Sequence, residues 1–477
     1  MMVQRSNSDS GASTRNGRYG VLFSIFSLLV LWLLSTTGAV GSENYLPAFP
    51  GAEGFGAVSV GGRHGRVIRV TNLNPDGPGS LQAAAAAEGP RIVVFEVAGV
   101  IRGDLRIQHS NITIAGESAP SPGITLVGRI VAAPQDGERL HDLVIRFLRI
   151  RQRPVTGHTG DVIQLPKSER IILDHLSLAW GNDELIDIIH SSEVTVQWCT
   201  LEESDPAGHS KGVAHNFALL SAYPQSGNIS IHHNLFAHNS RRNPSLSPYV
   251  EDKPADFRNN VIYNFKEGLG HDGHKPAAGI NLIGNYYKRG PDARRVKLYD
   301  FSEQGDYFLR GNHLAGHGPV DRPGDVGFFR SFSIDINREG ELVKNEFPVA
   351  AVETDSATTA YLKVLALAGA FPRDRVTRRT VSEVITGTGA WRRGGPADPD
   401  DDWFLSGIAV DVTDTDSDRD GMPDAWEADN GLNPSKYDAD KLFPSGYTAI
   451  EVYLHERAKA RLKGPMDSRA IELSIDG

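Results

Sequence analysis

Three aspartates and one arginine are the residues of this chain best placed to do chemistry together. Asp183 and Asp187 share the stretch Trp180-Gly-Asn-Asp-Glu-Leu-Ile-Asp187, Asp161 opens Asp161-Val-Ile-Gln-Leu165, and Arg242 heads Arg242-Asn-Pro244. Carboxylates gathered at one spot repel one another unless a cation sits among them, so acids followed by an arginine point to chemistry on an anion through a bound metal. A second acidic group has the spacing of a calcium loop. In Asp416-Ser-Asp-Arg-Asp-Gly-Met-Pro-Asp-Ala-Trp-Glu427 carboxylates fall at the first, third, fifth, ninth and twelfth places, Gly421 takes the sharp turn and Met422 offers a carbonyl. The ligands expected there are Asp416, Asp418, Asp420, Met422, Asp424 and Glu427. No amphipathic helix precedes the loop, so it is expected to act as a structural calcium clip and not as a sensor. Asp438 to Glu451 reads as a degenerate partner of it.

For these residues to meet, the chain must bring distant segments into register. Helical periodicity is scarce between residues 90 and 315, whereas short β-branched runs recur with glycine and asparagine between them. Similar units begin at Leu148, Leu176, Cys199, Asn234, Asn260, Asn285 and Asn312, separated by 28, 23, 35, 26, 25 and 27 positions. A strand-rich repeat near 25 residues predicts an all-β chain wound as a parallel β-helix, each coil covering the apolar edge of the last. Asn234, Asn260, Asn285 and Asn312 would stack at equivalent turns and satisfy backbone groups where the ladder bends. Asp161, Asp183 and Asp187 would sit on adjacent coils, about 4.8 Å apart along the axis. The long step from Cys199 carries an inserted loop, Glu202 to Gly212, on the face where solenoids usually bind.

Arg15 and Arg18, the apolar-rich run Val21 to Leu34 and the small residues Thr36 to Gly41 read as a secretory signal over residues 1–41, with an uncleaved membrane anchor as the alternative. Residues 42–319 are assigned to the β-helix, 320–402 to a wrapping segment and linker ending in Pro396-Ala-Asp-Pro-Asp-Asp-Asp402, and 403–477 to the calcium-loop region. Removing the leader would move the formal charge from −10 to −12, which excludes recruitment of nucleic acid and leaves any attraction of an anion to local cations. The single cysteine, Cys199, allows no internal disulfide, and its apolar setting makes it a core residue.

Phe49-Pro-Gly-Ala-Glu-Gly-Phe-Gly56, Ile92-Val-Val-Phe-Glu-Val-Ala-Gly-Val-Ile101, Leu173-Asp-His175 and Asn259-Asn-Val-Ile-Tyr-Asn264 resemble the pectate lyases of polysaccharide lyase family 1. The resemblance covers about Ala48 to Asn312. It implies a right-handed parallel β-helix that cleaves polygalacturonate by β-elimination, with calcium held by acids on consecutive coils. Asp161, Asp183 and Asp187 match the ligands of that calcium. Thr159 stands where some members have another aspartate, and Glu184 offers a substitute. Asp174 is expected to turn inward and fix its coil. Arg242 matches the arginine that abstracts the proton, while Arg241, one residue away on a strand, should point to the other face. Lys211 matches the lysine that binds the substrate carboxylate. Ser247 stands where many members have a second arginine. The resemblance implies a secreted protein acting on an acidic polysaccharide, with Ca2+ as cofactor and as a monomer.

Two other functions compete. A polygalacturonase-type hydrolase on the same fold needs an acid and a carboxylate flanking the bond, and no calcium. Asp272-Gly-His274 and His215 suggest such a site, but the ordered lyase motifs oppose it. A non-catalytic β-helix that binds cell-wall polysaccharide is the other, favoured by the departures at Thr159 and Ser247.

Overall fold

A computed structural model describes residues 45–134, 137–152, 160–207, 209, 215–270, 278–301, 305–322, 342–391, 395–411 and 414–463, with the backbone alone at 332–336 and 341. The leader at 1–41, Thr159, Lys211 and Asp272 to His274 lie outside the described residues. From Leu46 on, the described residues form one compact unit.

The β-branched runs pair as parallel strands, each with its counterpart in the next coil, so the chain is a parallel β-helix with three long faces. An 11-stranded sheet runs from Arg66–Val70 to Glu341–Leu342, and a 10-stranded sheet begins at Gly99–Arg102. A third sheet of six short strands contains Ile163–Gln164, Ile186–Asp187, Leu219–Ser221 and Ser245–Leu246. Inward residues of all three, among them Ile163, Ile186, Leu219, Leu173, Val196 and Phe236, share one continuous core. Burial of such side chains contributes roughly 1.5–3 kcal/mol each before chain entropy is subtracted.

The corner between the two long sheets explains the repeat. Asn234, Asn260, Asn285 and Asn312 are buried, and each side-chain carbonyl accepts the backbone N–H of the equivalent residue in the preceding coil at 2.8–3.1 Å. Cys199 starts this line, fully buried, and burial pushes its thiol far up, which makes it inert. At the same corner Phe147, His175, Trp198 and His233 adopt left-handed φ of 50–55° and stack coil on coil, with Trp198 and His233 4.4 Å apart. A left-handed bulky residue is costly alone; here ring stacking offsets it. Asp174 is buried beside this stack, accepting from Arg146, His175 and Gln197.

Two further segments pack on the solenoid. The glycine-rich stretch after Phe49 lies across the 11-stranded sheet, where a Cβ on Gly56 would fall 2.0 Å from the Ile171 carbonyl oxygen. Its N–H instead reaches Thr195 Oγ1 at 2.8 Å. Helices Ala357–Leu367 and Arg375–Thr386, capped by Ser356 and Asp374, cover the 10-stranded sheet with Tyr361, Val364 and Val384 against Leu235, Val261 and Tyr263. Asp374 also holds the fully buried Arg151 through two hydrogen bonds, at 2.9 and 3.0 Å. Farther on, Met422, Ile450, Tyr453 and Leu454 of the C-terminal region pack on Ile92 and Val94 of the first coils.

Candidate functional site

The six-stranded sheet carries the groove residues. Because Ile163 pairs with Ile186 and both point into the core, Asp161 and Glu184 meet at the start of these strands. The Glu184 N–H donates to Asp161 Oδ1 at 3.0 Å, and Gln164 Nε2 donates to Asp161 Oδ2 at 3.1 Å. Asp183, half-buried, completes the group: Asp161, Asp183 and Glu184 each present a carboxylate oxygen within 4.8 Å of the others. Burial, reinforced by the charge of Asp183, pushes the Asp161 carboxyl up to about 7. A set of hard oxygens that resists ionising together is the donor set a divalent cation such as calcium relieves. Asp187 is buried and set apart from this group: it pairs with Gln164 along the strand, and its Oδ1 accepts the Ile189 N–H at 3.1 Å.

Arg242 reaches the group from two coils away. Its guanidinium is ion-paired with Glu184 and lies over the Phe217 ring, 4.4 Å from the centroid. Its backbone has a left-handed φ of 55°, so it leaves the strand direction, and its carbonyl accepts from Leu219 N at 3.0 Å. Arg241 turns away to Glu267, at 2.8 and 2.9 Å. Ser247 is fully buried, its N–H bonded to the Ser221 carbonyl.

On the other side of Asp183 stand two histidines that no spacing rule had joined to it. His209 Nε2 lies 3.5 Å from Asp183 Oδ2, the His209 and His215 rings stack at 3.5 Å, and His215 meets Phe217 edge-on. Their convergence depends on how the inserted loop closes, which the sequence does not encode locally.

The second acidic cluster is organised differently. Asp416, Asp418 and Asp420 have oxygens within 4.8 Å of one another, and so do Asp420, Glu427 and Asp438. Gly421 makes the turn at φ 95°, where a Cβ would press on Val67 at 2.9 Å. Burial, with the charges of Asp420, Asp418, Asp438 and Asp416, pushes Glu427 up to about 8. Met422 is buried, its N–H bonded to Asp420 Oδ1. Asp424 heads the helix Asp424–Asp429 and is not in either group.

No protein-family profile matches the chain. It is 33% identical over 431 residues to the probable pectate lyase C of Aspergillus flavus, covering 88% of this chain and 96% of that one. The probable pectate lyase C of Aspergillus terreus is 34% identical over 438 residues, with the same coverage of 88% and 96%. Among solved structures, the major cedar pollen allergen Jun a 1 superposes with a TM-score of 0.46 at 16% identity, over 67% of this chain and 92% of that one. A pectate lyase from Paenibacillus gives 0.44 at 14% identity, over 67% and 96%.

Proposed function

The chain belongs to the pectate lyase family, and on that footing we propose that it is a secreted, calcium-dependent enzyme that cleaves polygalacturonate by β-elimination to unsaturated oligogalacturonides. The observation that carries the reading is the meeting of Asp161, Asp183 and Glu184 with Arg242 on one sheet of the solenoid. Carboxylates this close suit a shared cation better than hydrolysis, whose two acids flank the bond on the order of 5–10 Å apart. Secretion is supported by the apolar run Val21 to Leu34 behind Arg15 and Arg18.

In this reading Asp161, Asp183 and Glu184, whose oxygens lie together, would hold the cation, with Asp187 farther along the same strand. A bound calcium would neutralise the uronate carboxylate and make the hydrogen on the adjacent C5 more acidic. Arg242 faces the charge that develops as that proton leaves. Phe217 and Glu184 fix the guanidinium in plane and place, so its N–H donors meet that charge without reorganising. The proton passes to a water that Arg242 orients, or to Arg242 itself once the cation beside it has driven off a guanidinium proton. The C5–H electrons form the C4–C5 double bond as the C4–O bond breaks, and the departing oxygen takes a proton from water. Lys211, from the inserted loop, is assigned to the carboxylate of a bound sugar.

Incubation with polygalacturonate, with and without a chelator, tests this. Ultraviolet absorbance of the unsaturated product should rise only in calcium. Reducing ends without that absorbance would indicate hydrolysis, and no cleavage in calcium would leave a binding protein.

A further inference from the structure

In the C-terminal region, the residue that the calcium-loop spacing assigns to the ninth place is already occupied. Asp424 accepts from Ser417 on both oxygens, from the N–H and from Oγ, each at 2.7 Å. It serves as a brace across the loop. Elsewhere in the same region, buried carboxylate oxygens have no hydrogen-bond partner among the described residues: both of Glu427, Asp418 Oδ2 and Asp438 Oδ1. Glu427 is fully buried and Asp438 is 8% exposed. A buried, unpartnered carboxylate is strongly unfavourable unless a cation compensates it.

We propose that the C-terminal cation site is closed by Asp438, from outside the twelve-residue loop, in place of Asp424, so that Asp416, Asp418, Asp420, Glu427 and Asp438 hold one calcium ion. This rests on the reading of residues 416–427 as a calcium loop and changes which side chains complete it. The Asp438 N–H donates to Asp420 Oδ2 at 3.2 Å, which brings its carboxylate beside Asp420 and Glu427. The segment it heads is tied to the last helix, Ala449–Leu462, through Ile450 N to Ala439 O and Ala449 N to Lys441 O. That helix carries Ile450, Tyr453 and Leu454 onto Ile92 and Val94. A cation on Asp438 therefore joins three pieces: the loop, the helix bearing Glu427, and the helix seated on the first coils. The site is a clamp on the end of the solenoid, and its occupancy sets how firmly the C-terminal region stays docked.

The test uses the full chain and terbium, which takes the same hard oxygen ligands as calcium and luminesces when a nearby tryptophan is excited. Trp426, adjacent to Glu427, is the antenna, and W426F identifies the signal as local. D438N should weaken terbium binding roughly tenfold or more, whereas D424N should change it less than about threefold. A second readout separates ligation from packing. In chelator, D438N and E427Q should melt higher than wild type because repulsion is relieved; in calcium both should melt lower. Equal terbium affinity for D438N and wild type, or a larger loss in D424N, overturns the role of Asp438. Lower melting of D438N and E427Q in both conditions does the same. No Trp426-sensitised signal in wild type overturns the calcium-loop reading itself.

Discussion

The two acidic clusters of this chain solve the same electrostatic problem in opposite ways. In the groove, Asp161 accepts from a backbone N–H and from Gln164, and Glu184 is held by Arg242. In the C-terminal region, oxygens of Glu427, Asp418 and Asp438 are buried with no hydrogen-bond partner among the described residues. Groups with partners tolerate an empty state, while groups without them do not. The groove cluster is thus suited to a cation that comes and goes with substrate, and the C-terminal cluster to one that stays as part of the fold.

The largest effect expected is on the groove side. Arg242→Ala should reduce turnover about a thousandfold, the order of magnitude of losing a donor aimed at developing charge, in a protein that still folds but melts lower through loss of the ion pair to Glu184. Substantial residual activity would move the catalytic role elsewhere and remove the functional half of the contrast. Next comes chelation of the wild-type protein. If the C-terminal site normally sits near a hundredfold above its dissociation constant, stripping it removes about 2.7 kcal/mol of stability, visible as a drop in melting temperature. No drop would break the structural half.

Glu184→Gln sharpens the groove side further. The amide keeps an acceptor for Arg242 but loses the charge, so kcat should fall roughly tenfold through misplacement of the guanidinium while KM changes little. A fall in calcium affinity with kcat intact would recast Glu184 as a ligand alone.

Asp174 calibrates both sites, being a buried acid with permanent partners. Burial acts to raise its pKa, but the charges of His175 and Arg146 and the bonds from His175 and Gln197 outweigh it and hold the carboxyl well below the usual range. Its stabilisation is therefore complete above the unfolded value of about 3.9 and is lost as pH falls below it toward the folded value. Acid melts should show a shallower slope in that window for Asp174→Asn than for wild type, and by the same amount with calcium as without it. A difference between wild type and Asp174→Asn that changes with calcium would mean that Asp174 is coupled to a cation site.

What the sequence made legible follows from what the coil forces to repeat. From the coil after Cys199 onward a buried amide bridges each corner, so Asn234, Asn260, Asn285 and Asn312 show the period directly. Gly56 could be recognised by motif, and its reason emerges only from the Ile171 carbonyl it abuts. Asp161 and Asp183 meet because they lie one coil apart; Asp187, in the same run, sits farther along the strand. The pairing of Glu184 with Arg242, and His209 with Asp183, depends on loop lengths and on a left-handed backbone at Arg242, for which no local rule exists. The twelve-residue spacing located the C-terminal cluster and marked the stretch from Asp438 as its degenerate partner; that Asp424 bonds Ser417 while Asp438 meets Asp420 and Glu427 is seen only in the fold. Lys211 lies outside the described residues, and its role rests on the resemblance alone.

The claim that two separate cation sites do separate jobs can be tested in one titration. Calcium is added back to chelated wild-type protein, and the rate of unsaturated product formation and the melting temperature are read at each concentration. Two curves are predicted, with stability saturating at lower calcium than rate. Superimposable curves would mean that one site governs both, and would contradict the division drawn between the groove and the C-terminal clamp.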